Sequence, residues 1–551
     1  MKRKRLFLCL FLGIVSSVLF AEGTREMAPK GLGTVKVDGG LVSGMATETE
    51  GVTLYRGVPY AAPPVGALRW KTPADVIPWD GVKECTLWPN MSLQDKSGNK
   101  PHVSFYGDEF YYSDKNDPPA SEDCLYLNIY TPANDGNVAS LKLPVYYYIH
   151  GGGNNHGYNS KVEFNASELS KLGIVVVEVQ YRLGALGFLA LPELTAESGT
   201  SGNYAILDLV KGLEWVQKNV KAFGGDPDNV TIGGQSAGGM DTRVLLSTPS
   251  ADGLYKRAIM QSSFGYAVCP IKGNSLQVAE SLGSAAMKKL FGDDITLEKL
   301  RAMSEEELSK PEIINKFLNS STSITIDDHV ISARRAADLS PVIDHISIMI
   351  GNNSDEMTSL SGDWKKSYDK AGYKAGLEKY FGATLSAKYD LLSIFPYTDG
   401  TQANRTLLSL TCDDLLMTNR QNSLSTGSNN YVYFFSQNLP KHTAEYASGR
   451  NEDFYGAFHS AELWYMFGSM RDVKEQRQWT EGDHALSDVM SAYWANFIRT
   501  GNPNGQGLPY WPVCSESTEG AYMHFGDDTA KAATSFDNPA KEKLYRERHS
   551  L

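Results

Sequence analysis

Residues 230–238 read VTIGGQSAG, a short β-branched run that ends in a Gly-x-Ser-x-Gly pattern. The pattern predicts a strand over residues 230–232 and a tight turn from that strand into a helix, with Ser236 at the turn. Such a turn projects the serine hydroxyl above a sheet, and the flanking glycines permit the strained backbone. The chain has 51 glycines, so a chance match in a loop is the alternative. The preceding strand favours a nucleophile.

The segments around this turn alternate between buried strands and helices. Apolar runs predict strands at residues 143–149, 174–181, 346–350 and 431–435, and helical periodicity is found at residues 205–220 and 486–498. Runs without alternation, separated by helices, are typical of a mainly parallel sheet that is covered on both faces. Gly501 and Pro503 end the last helix. Residues 275–316 are helical and charged, and we expect them to form a cap region.

A second glycine-rich motif follows the strand at residues 143–149. Residues 150–153 read HGGG. Acyl transfer places negative charge on the carbonyl oxygen, and backbone N–H groups must approach that oxygen closely, which glycines allow. A plain glycine turn is the alternative for this motif alone. Together with the Ser236 turn, the motif favours an oxyanion hole.

A serine nucleophile requires a base and a carboxylate that orients the base, and on this architecture the chain order is serine, acid, histidine. The acid is expected just after the strand at residues 346–350, where Asp355 and Glu356 stand side by side. Composition does not choose between them. Five later histidines are candidate bases, and spacing alone does not select one of them: His442, His459, His484, His524 and His549.

Composition and the N-terminus limit the class of protein. The formal net charge of −12 argues against nucleic-acid binding, which requires a basic surface. The histidines and cysteines lack metal-site spacing, so we expect no metal. A basic start followed by an apolar stretch at residues 6–20 predicts a signal peptide over residues 1–21, an exported protein and a single domain over residues 22–551. An uncleaved anchor is the alternative.

The sequence resembles the type-B carboxylesterases, the cholinesterase-like branch of the α/β-hydrolases. The resemblance runs over nearly the whole chain after the signal segment, and many motifs match in order. The matching motifs are YRGVPYA at 55–61, PPVG at 63–66, SEDCLYLN at 121–128, HGGG at 150–153, YRLGALGF at 181–188, GNY at 202–204, FGGDP at 223–227, GQSAG at 234–238, GNNSDE at 351–356, HSAE at 459–462 and TGNP at 500–503.

The resemblance implies an α/β-hydrolase fold and hydrolysis of a small-molecule ester without a cofactor. It also assigns roles, position by position. Ser236 matches the family nucleophile, Glu356 the acid and His459 the base. The three oxyanion N–H donors match Gly152, Gly153 and Ala237. Glu462 matches a second carboxylate near the site.

The sequence departs from the family pattern at several positions. The residue before the nucleophile is usually Glu but here is Gln235, which adds no negative charge. Asn154 and Asn155 replace an expected aromatic residue, so that wall of the site should be more polar. Cys124 matches a disulfide cysteine of the family, but Cys85 aligns only approximately as its partner. A Cys85–Cys124 disulfide and two free thiols both remain open.

Three further questions remain open in the sequence. An aromatic group at residues 105–112 could line the substrate gorge or simply pack its own loop. The enzyme could be a lipase or an aromatic-acid (feruloyl-type) esterase on the same fold. A non-catalytic, cholinesterase-like binding protein is the alternative of another class, although all three triad positions are filled. The oligomeric state and the natural ester cannot be read from these residues.

Overall fold

The computed structural model describes residues 31–98, 100–111, 117–263, 270–317, 323–424, 426, 428–443 and 449–550. The expected signal peptide, Cys269 and Tyr112 lie outside these ranges.

Eleven strands form the central sheet. In chain order they are β1 (Met45–Ala46), β2 (Thr53–Pro59), β3 (Tyr126–Thr131), β4 (Leu143–Ile149), β5 (Val175–Val179), β6 (Gly225–Gln235), β7 (Arg257–Gln261), β8 (Ser347–Asn353), β9 (Asn430–Phe435), β10 (Tyr522–Gly526) and β11 (Thr529–Ala533). Three smaller sheets lie outside this sheet. The first has three strands, Thr34–Val37, Gly40–Ser43 and Val82–Glu84. The second pairs Met91–Ser92 with Ala120–Ser121, and the third pairs Asn274–Ser275 with Thr325–Ile326.

The strand order is β11-β10-β9-β8-β7-β6-β4-β5-β3-β2-β1. Strands β4 to β10 pair in parallel, while β1, β2 and β3 at one edge and β11 at the other pair antiparallel. The order reverses where β4 lies between β5 and β6. Ligands of parallel α/β sheets bind beyond the carboxyl ends of the strands at such a reversal. The motifs that follow β4 and β6 are therefore placed at the expected site.

Nineteen α-helices cover the sheet in the described ranges: α1 (Phe105–Phe110), α2 (Ser167–Lys171), α3 (Gly184–Phe188), α4 (Pro192–Ser198), α5 (Tyr204–Asn219), α6 (Ala237–Leu246), α7 (Leu276–Phe291), α8 (Leu297–Ala302), α9 (Glu305–Leu308), α10 (Pro311–Phe317), α11 (Ala333–Ala337), α12 (Ser340–Ile343), α13 (Glu356–Leu360), α14 (Lys370–Lys388), α15 (Leu391–Ile394), α16 (Gly400–Leu424), α17 (Leu463–Phe467), α18 (Glu481–Thr500) and α19 (Pro539–Arg548). In these ranges, no helix combines the length and apolar character that crossing a bilayer requires.

The sheet separates two hydrophobic cores, and the alternation of side chains along each strand assigns residues to them. On β4, Val145, Tyr147 and Ile149 contact one core, whereas Tyr146 and Tyr148 contact the other. All five are buried. Because both faces of the strand are covered, its residues form an uninterrupted apolar run, as the sequence indicates for a buried parallel strand.

The predicted α/β class and the main elements are confirmed. The strand at residues 143–149 has the predicted bounds. Helix α5 begins and ends one residue before the predicted 205–220, and α18 extends beyond the predicted 486–498 at both ends. Gly501 ends α18 in the left-handed conformation, with φ of 79°. Strand β6 begins five residues earlier than predicted, at Gly225, because Gly225 pairs with Leu143 of β4 before an irregularity that ends at Val230.

Residues 275–316 form helices α7 to α10, as predicted. Their apolar side chains make a satellite core with Trp70 and with residues of α3 and α4. The described residues that line the cavity in front of Ser236 come from other segments of the chain. These helices therefore pack beside the sheet and do not roof the described part of the site.

Candidate active site

Ser236 lies at the turn between β6 and α6. Its backbone has φ of 59° and ψ of −125°, a conformation that is costly for a residue with a Cβ atom. The glycines of the motif allow this turn to pack against the end of β4. A Cβ atom on Gly238 would lie 2.0 Å from the carbonyl oxygen of Ile149, and one on Gly234 would lie 2.4 Å from the same oxygen. The motif is therefore a steric requirement of the turn.

The glycine loop after β4 lies directly against this turn. A Cβ atom on Gly151 would come within 2.9 Å of the Cβ atom of Ser236. Gly152 and Gly153 have φ of 120° and 62°, which favour glycine. Both glycines line one cavity together with Ser236 and His459. Ala237 is the first residue of α6, where unpaired N–H groups favour negative charge.

The acid and base loops are held together by backbone pairing. The N–H group of Asp355 donates to the carbonyl oxygen of Ala457 at 3.1 Å, and residues 355 and 458 form a parallel bridge. The next residues on the two loops are Glu356 and His459, and the pairing brings their side chains into contact. Nδ1 of His459 hydrogen-bonds Oε2 of Glu356. Oε1 of Glu356 accepts a second hydrogen bond from the backbone N–H of Asn353 at 2.7 Å. Glu356 is fully buried.

This contact fixes the tautomer of His459. With Nδ1 donating to the carboxylate, Nε2 carries the lone pair that a general base needs. Nε2 lies 3.2 Å from the side-chain nitrogen of Gln235, the residue that departs from the family pattern. The amide of Gln235 donates to that lone pair. Gln235 therefore contacts the base directly.

Glu462 lies near Glu356 and His459 and is fully buried. Its Oε2 accepts a hydrogen bond from Nδ2 of Asn353 at 2.6 Å, and its Oε1 accepts one from Nε2 of Gln261 at 3.3 Å. Burial, and then the negative charge of Glu356, raises the pKa of Glu462 to about 7. Asn353 thus binds both carboxylates, one through its main chain and one through its side chain. The resemblance includes Asn353 in the motif before Glu356 but assigns no role to it or to Gln261.

Asp355 points away from the base. Its carboxylate forms a two-pronged ion pair with Arg405, at 2.8 and 2.9 Å, and accepts a hydrogen bond from Ser409 at 2.7 Å. Burial opposes the charged form, but the guanidinium of Arg405 outweighs it and the pKa of Asp355 is lowered. Of the two neighbouring acids, the one in contact with His459 is Glu356.

The cavity in front of Ser236 has a volume of about 600 Å³. Of the aromatic group at residues 105–112, three members line it: Tyr106, Phe110 and Tyr111. Tyr106 also donates to the carbonyl oxygen of His459 at 3.2 Å, while Phe105 stacks on Tyr455 with ring centroids 4.0 Å apart. Both interpretations of this group therefore hold, since it lines the cavity and packs the base loop.

The two asparagines after the glycine loop have different surroundings. Asn155 lines the cavity and makes that wall polar, as the sequence suggested. Asn154 instead turns inward and donates to Asp241 at 3.1 Å. Cys85 and Cys124 are separate buried thiols, so the structure has the alternative without a disulfide.

Two charged residues of the cavity wall whose side chains are largely buried were missed by sequence reasoning. Lys161 and Glu163 line the cavity beside Ser236 and are largely shielded from solvent. Both follow the glycine loop in a polar stretch, where charged residues are usually exposed. No periodicity or motif distinguishes them. In the described ranges, no group of three or more His, Cys, Asp or Glu residues is arranged to hold a metal ion.

The fold and the geometry of this site are those of an α/β-hydrolase, and the chain belongs to the carboxylesterase family. The model of the Carboxylesterase family matches residues 32–544. The protein is a carboxylic ester hydrolase of this family.

Relatives with known activities extend over most of the chain. Human "Cocaine esterase" is 32% identical over 495 residues, covering 85% of this chain and 83% of its own length. Pig "Liver carboxylesterase" is 29% identical and covers 95% of this chain and 94% of its own. Among solved structures, the carboxylesterase of Geobacillus stearothermophilus is 28% identical with a TM-score of 0.69, and covers 93% of this chain and 99% of its own.

Proposed function

We propose that the protein hydrolyses carboxylic esters with Ser236 as nucleophile, His459 as general base and Glu356 as the orienting acid. One observation carries the assignment: the Nδ1 atom of His459 is bonded to a buried carboxylate while its ring lines the same cavity as Ser236. A neutral imidazole held in this tautomer can accept the serine proton.

The reaction has two halves. His459 takes the proton of Ser236 as the serine oxygen attacks the ester carbonyl, and the N–H groups of Gly152, Gly153 and Ala237 stabilise the oxyanion. The tetrahedral intermediate collapses, the alcohol leaves with the proton from His459, and an acyl-enzyme remains. Water then gives a proton to His459 as it attacks the acyl-enzyme, and His459 passes that proton to the oxygen of Ser236 as the acid is released, which restores both residues.

The polar and charged residues of the cavity wall, which include Asn155, Lys161 and Glu163, support esters with short acyl groups over long-chain lipids. A lipase would favour long chains, and an aromatic-acid (feruloyl-type) esterase would favour aromatic acids. A non-catalytic binding protein would cleave neither. Turnover of 4-nitrophenyl acetate, butyrate and palmitate and of methyl ferulate by the purified protein separates these possibilities. Faster turnover of palmitate than of butyrate would overturn the preference, and no turnover of any ester would overturn the function.

The nucleophile has a separate test. A fluorophosphonate probe should label Ser236, and Ser236→Ala should abolish both labelling and turnover while the protein stays folded. Ser460→Ala is the matched control, because Ser460 also lines the cavity. It should retain labelling and activity. Label on another serine would refute the assignment.

We also propose that the protein is exported after cleavage near Ala21. The basic residues 2–5 and the apolar stretch that follows them support this proposal. N-terminal sequencing of the protein from an expressing cell tests it. A mature protein that retains Met1 would contradict cleavage.

A further inference from the structure

A buried pair of opposite charges lies in the wall of the catalytic cavity. Lys161 and Glu163 both line this cavity, and their side chains are 11% and 2% exposed. Nζ of Lys161 lies 3.6 Å from Oε1 of Glu163. The triad and the oxyanion loop do not use this pair. Buried charges are costly, so their place in a substrate cavity calls for a ligand with which they interact.

Lys161 remains a charged donor in this position. Its ammonium lies over the ring of Tyr111, 4.8 Å from the centroid, with the ring of Phe164 at 5.7 Å. Burial disfavours the charge, but Tyr111 and Glu163 outweigh burial and raise the pKa of Lys161. The ammonium has three hydrogen-bond donors.

Glu163 has unused capacity as an acceptor. Its Oε2 atom is buried and accepts no hydrogen bond from any described residue. Burial raises the pKa of Glu163 to about 7, so the charged and neutral forms are both accessible near neutral pH. An unpartnered buried polar atom is rare in folded proteins, and it is destabilising until a partner arrives.

The chemistry of the pair discriminates between possible substrate groups. An alkyl chain would leave Oε2 of Glu163 unpaired. A cation would meet the Lys161 ammonium, and an anion would meet the Glu163 carboxylate whenever that group is charged. Asp95 and His156 also line the cavity, but Asp95 is only partly buried and His156 is exposed to solvent. A hydroxyl group fits both partners, since it can accept from Nζ and donate to a carboxylate oxygen.

We propose that Lys161 and Glu163 are specificity-determining residues that bind a hydroxyl group of the ester, so that the preferred substrates are esters of hydroxy acids or of polyols. The inference rests on the proposed function, because it concerns the substrate of the same serine. A site that is built to hydrogen-bond a hydroxyl rejects the analogue without it, because the buried polar groups are then left unpaired.

Two matched pairs of esters test this proposal and distinguish the side of the ester that carries the hydroxyl. One pair is 4-nitrophenyl 3-hydroxybutyrate and 4-nitrophenyl butyrate, and the other is glyceryl monobutyrate and propyl butyrate. In at least one pair, we expect kcat/KM to be at least about 10-fold higher for the hydroxylated ester. Ratios near one in both pairs, with the esters still cleaved, would overturn this inference alone. Failure to cleave any of them would overturn the proposed function.

Variants assign the preference to the pair. Lys161→Met and Glu163→Leu should bring the ratio close to one, chiefly by slowing the hydroxylated ester. Glu163→Gln keeps an acceptor and should retain most of the preference, which guards against a variant that does not fold. Lys171→Met changes an exposed lysine and should leave the ratio unchanged. An unchanged ratio in folded Lys161→Met would refute the role of the lysine.

Discussion

The side-chain amide of Gln235 lies 3.2 Å from Nε2 of His459, the nitrogen that accepts the proton of Ser236 in the proposed mechanism. The amide is neutral, so the negative charge nearest the imidazole is that of Glu356 on the opposite side of the ring. In the free enzyme the amide occupies the lone pair, and it must yield when Ser236 transfers its proton. The identity of residue 235 therefore acts directly on the base.

Replacing Gln235 by Glu should move the acid limb of the pH profile of kcat/KM upward by about one unit. A carboxylate within hydrogen-bond distance stabilises the imidazolium, so a higher pH is needed to obtain the neutral base. Gln235→Leu removes the amide without adding charge and should move the limb much less. Profiles of both variants on one soluble ester provide the measurement. Superimposable profiles for the wild type and Gln235→Glu would contradict this role.

Glu356→Gln and Asp355→Asn should affect different properties. The amide at position 356 cannot hold the base in its charged form, and kcat should fall by about 10⁴, as in the serine-protease precedent. Asp355→Asn leaves Arg405 without its carboxylate and should lower the free energy of unfolding by about 3 kcal/mol. Its kcat should stay near that of the wild type at temperatures where it is folded. If folded Asp355→Asn has a strongly reduced kcat while Glu356→Gln keeps the kcat of the wild type, then the acid that orients His459 is Asp355 and not Glu356.

Glu462→Gln should make the protein more stable at pH 8 and leave its stability almost unchanged at pH 4.5. The pKa of Glu462 is raised from 4.5 to about 7, so the folded state holds a proton that the unfolded state loses, and stability falls as the pH rises through this window. The glutamine side chain of the variant resembles the protonated acid, so the variant does not undergo this loss of stability, which amounts to up to about 3 kcal/mol. Gln261 has a buried oxygen with no partner among the described residues that can accept from the new amide.

Urea unfolding of the wild type and Glu462→Gln at pH 4.5 and pH 8 measures this effect. Glu163 and Asp241 also have pKa values raised to about 7 by burial, so the wild type should lose stability with pH for several reasons. The difference between the two proteins isolates Glu462. A difference that is the same at both pH values would show that Glu462 does not titrate in this window.

The two glycines that we propose for the oxyanion hole, Gly152 and Gly153, should differ in their tolerance of alanine. A Cβ atom on Gly152 would lie 1.9 Å from the carbonyl oxygen of His156, so the loop must move, and kcat should fall by about 10². A Cβ atom on Gly153 would lie 3.6 Å from its nearest neighbouring atom, so alanine there carries only the conformational cost of a φ of 62°. Gly153→Ala should therefore retain most of its kcat. Equal losses in both variants would indicate that conformation, and not steric contact, limits this loop.

The parts of the site that the sequence predicts are those that depend on local structure. The Ser236 turn and the glycine loop each follow a strand at once, and their glycines report close backbone contacts within a few residues. The pairing of Glu356 with His459 joins loops 103 residues apart, and only the family resemblance selects those two residues. Residue patterns do not encode the distance between such loops.

The surroundings of individual polar residues were harder to predict. Lys161 packs against the rings of Tyr111 and Phe164, and Glu163 lies beside it, and those contacts arise only in the folded chain. Asn154 and Asn155 are identical neighbours in the sequence, yet one bonds Asp241 inside the protein and the other lines the cavity. A backbone turn at Asn154, with φ of 59°, sends them in different directions.

The positive φ at Ser236 means that the residue which the proposed reaction requires also lowers the stability of the folded protein. A glycine at this position would relieve on the order of 1 kcal/mol of backbone strain and remove the hydroxyl, giving an inert protein that survives heating better. Directed evolution that screens only for heat resistance would thus enrich variants that have lost esterase activity. A laboratory that seeks a hardier version of this enzyme must screen for turnover in every round.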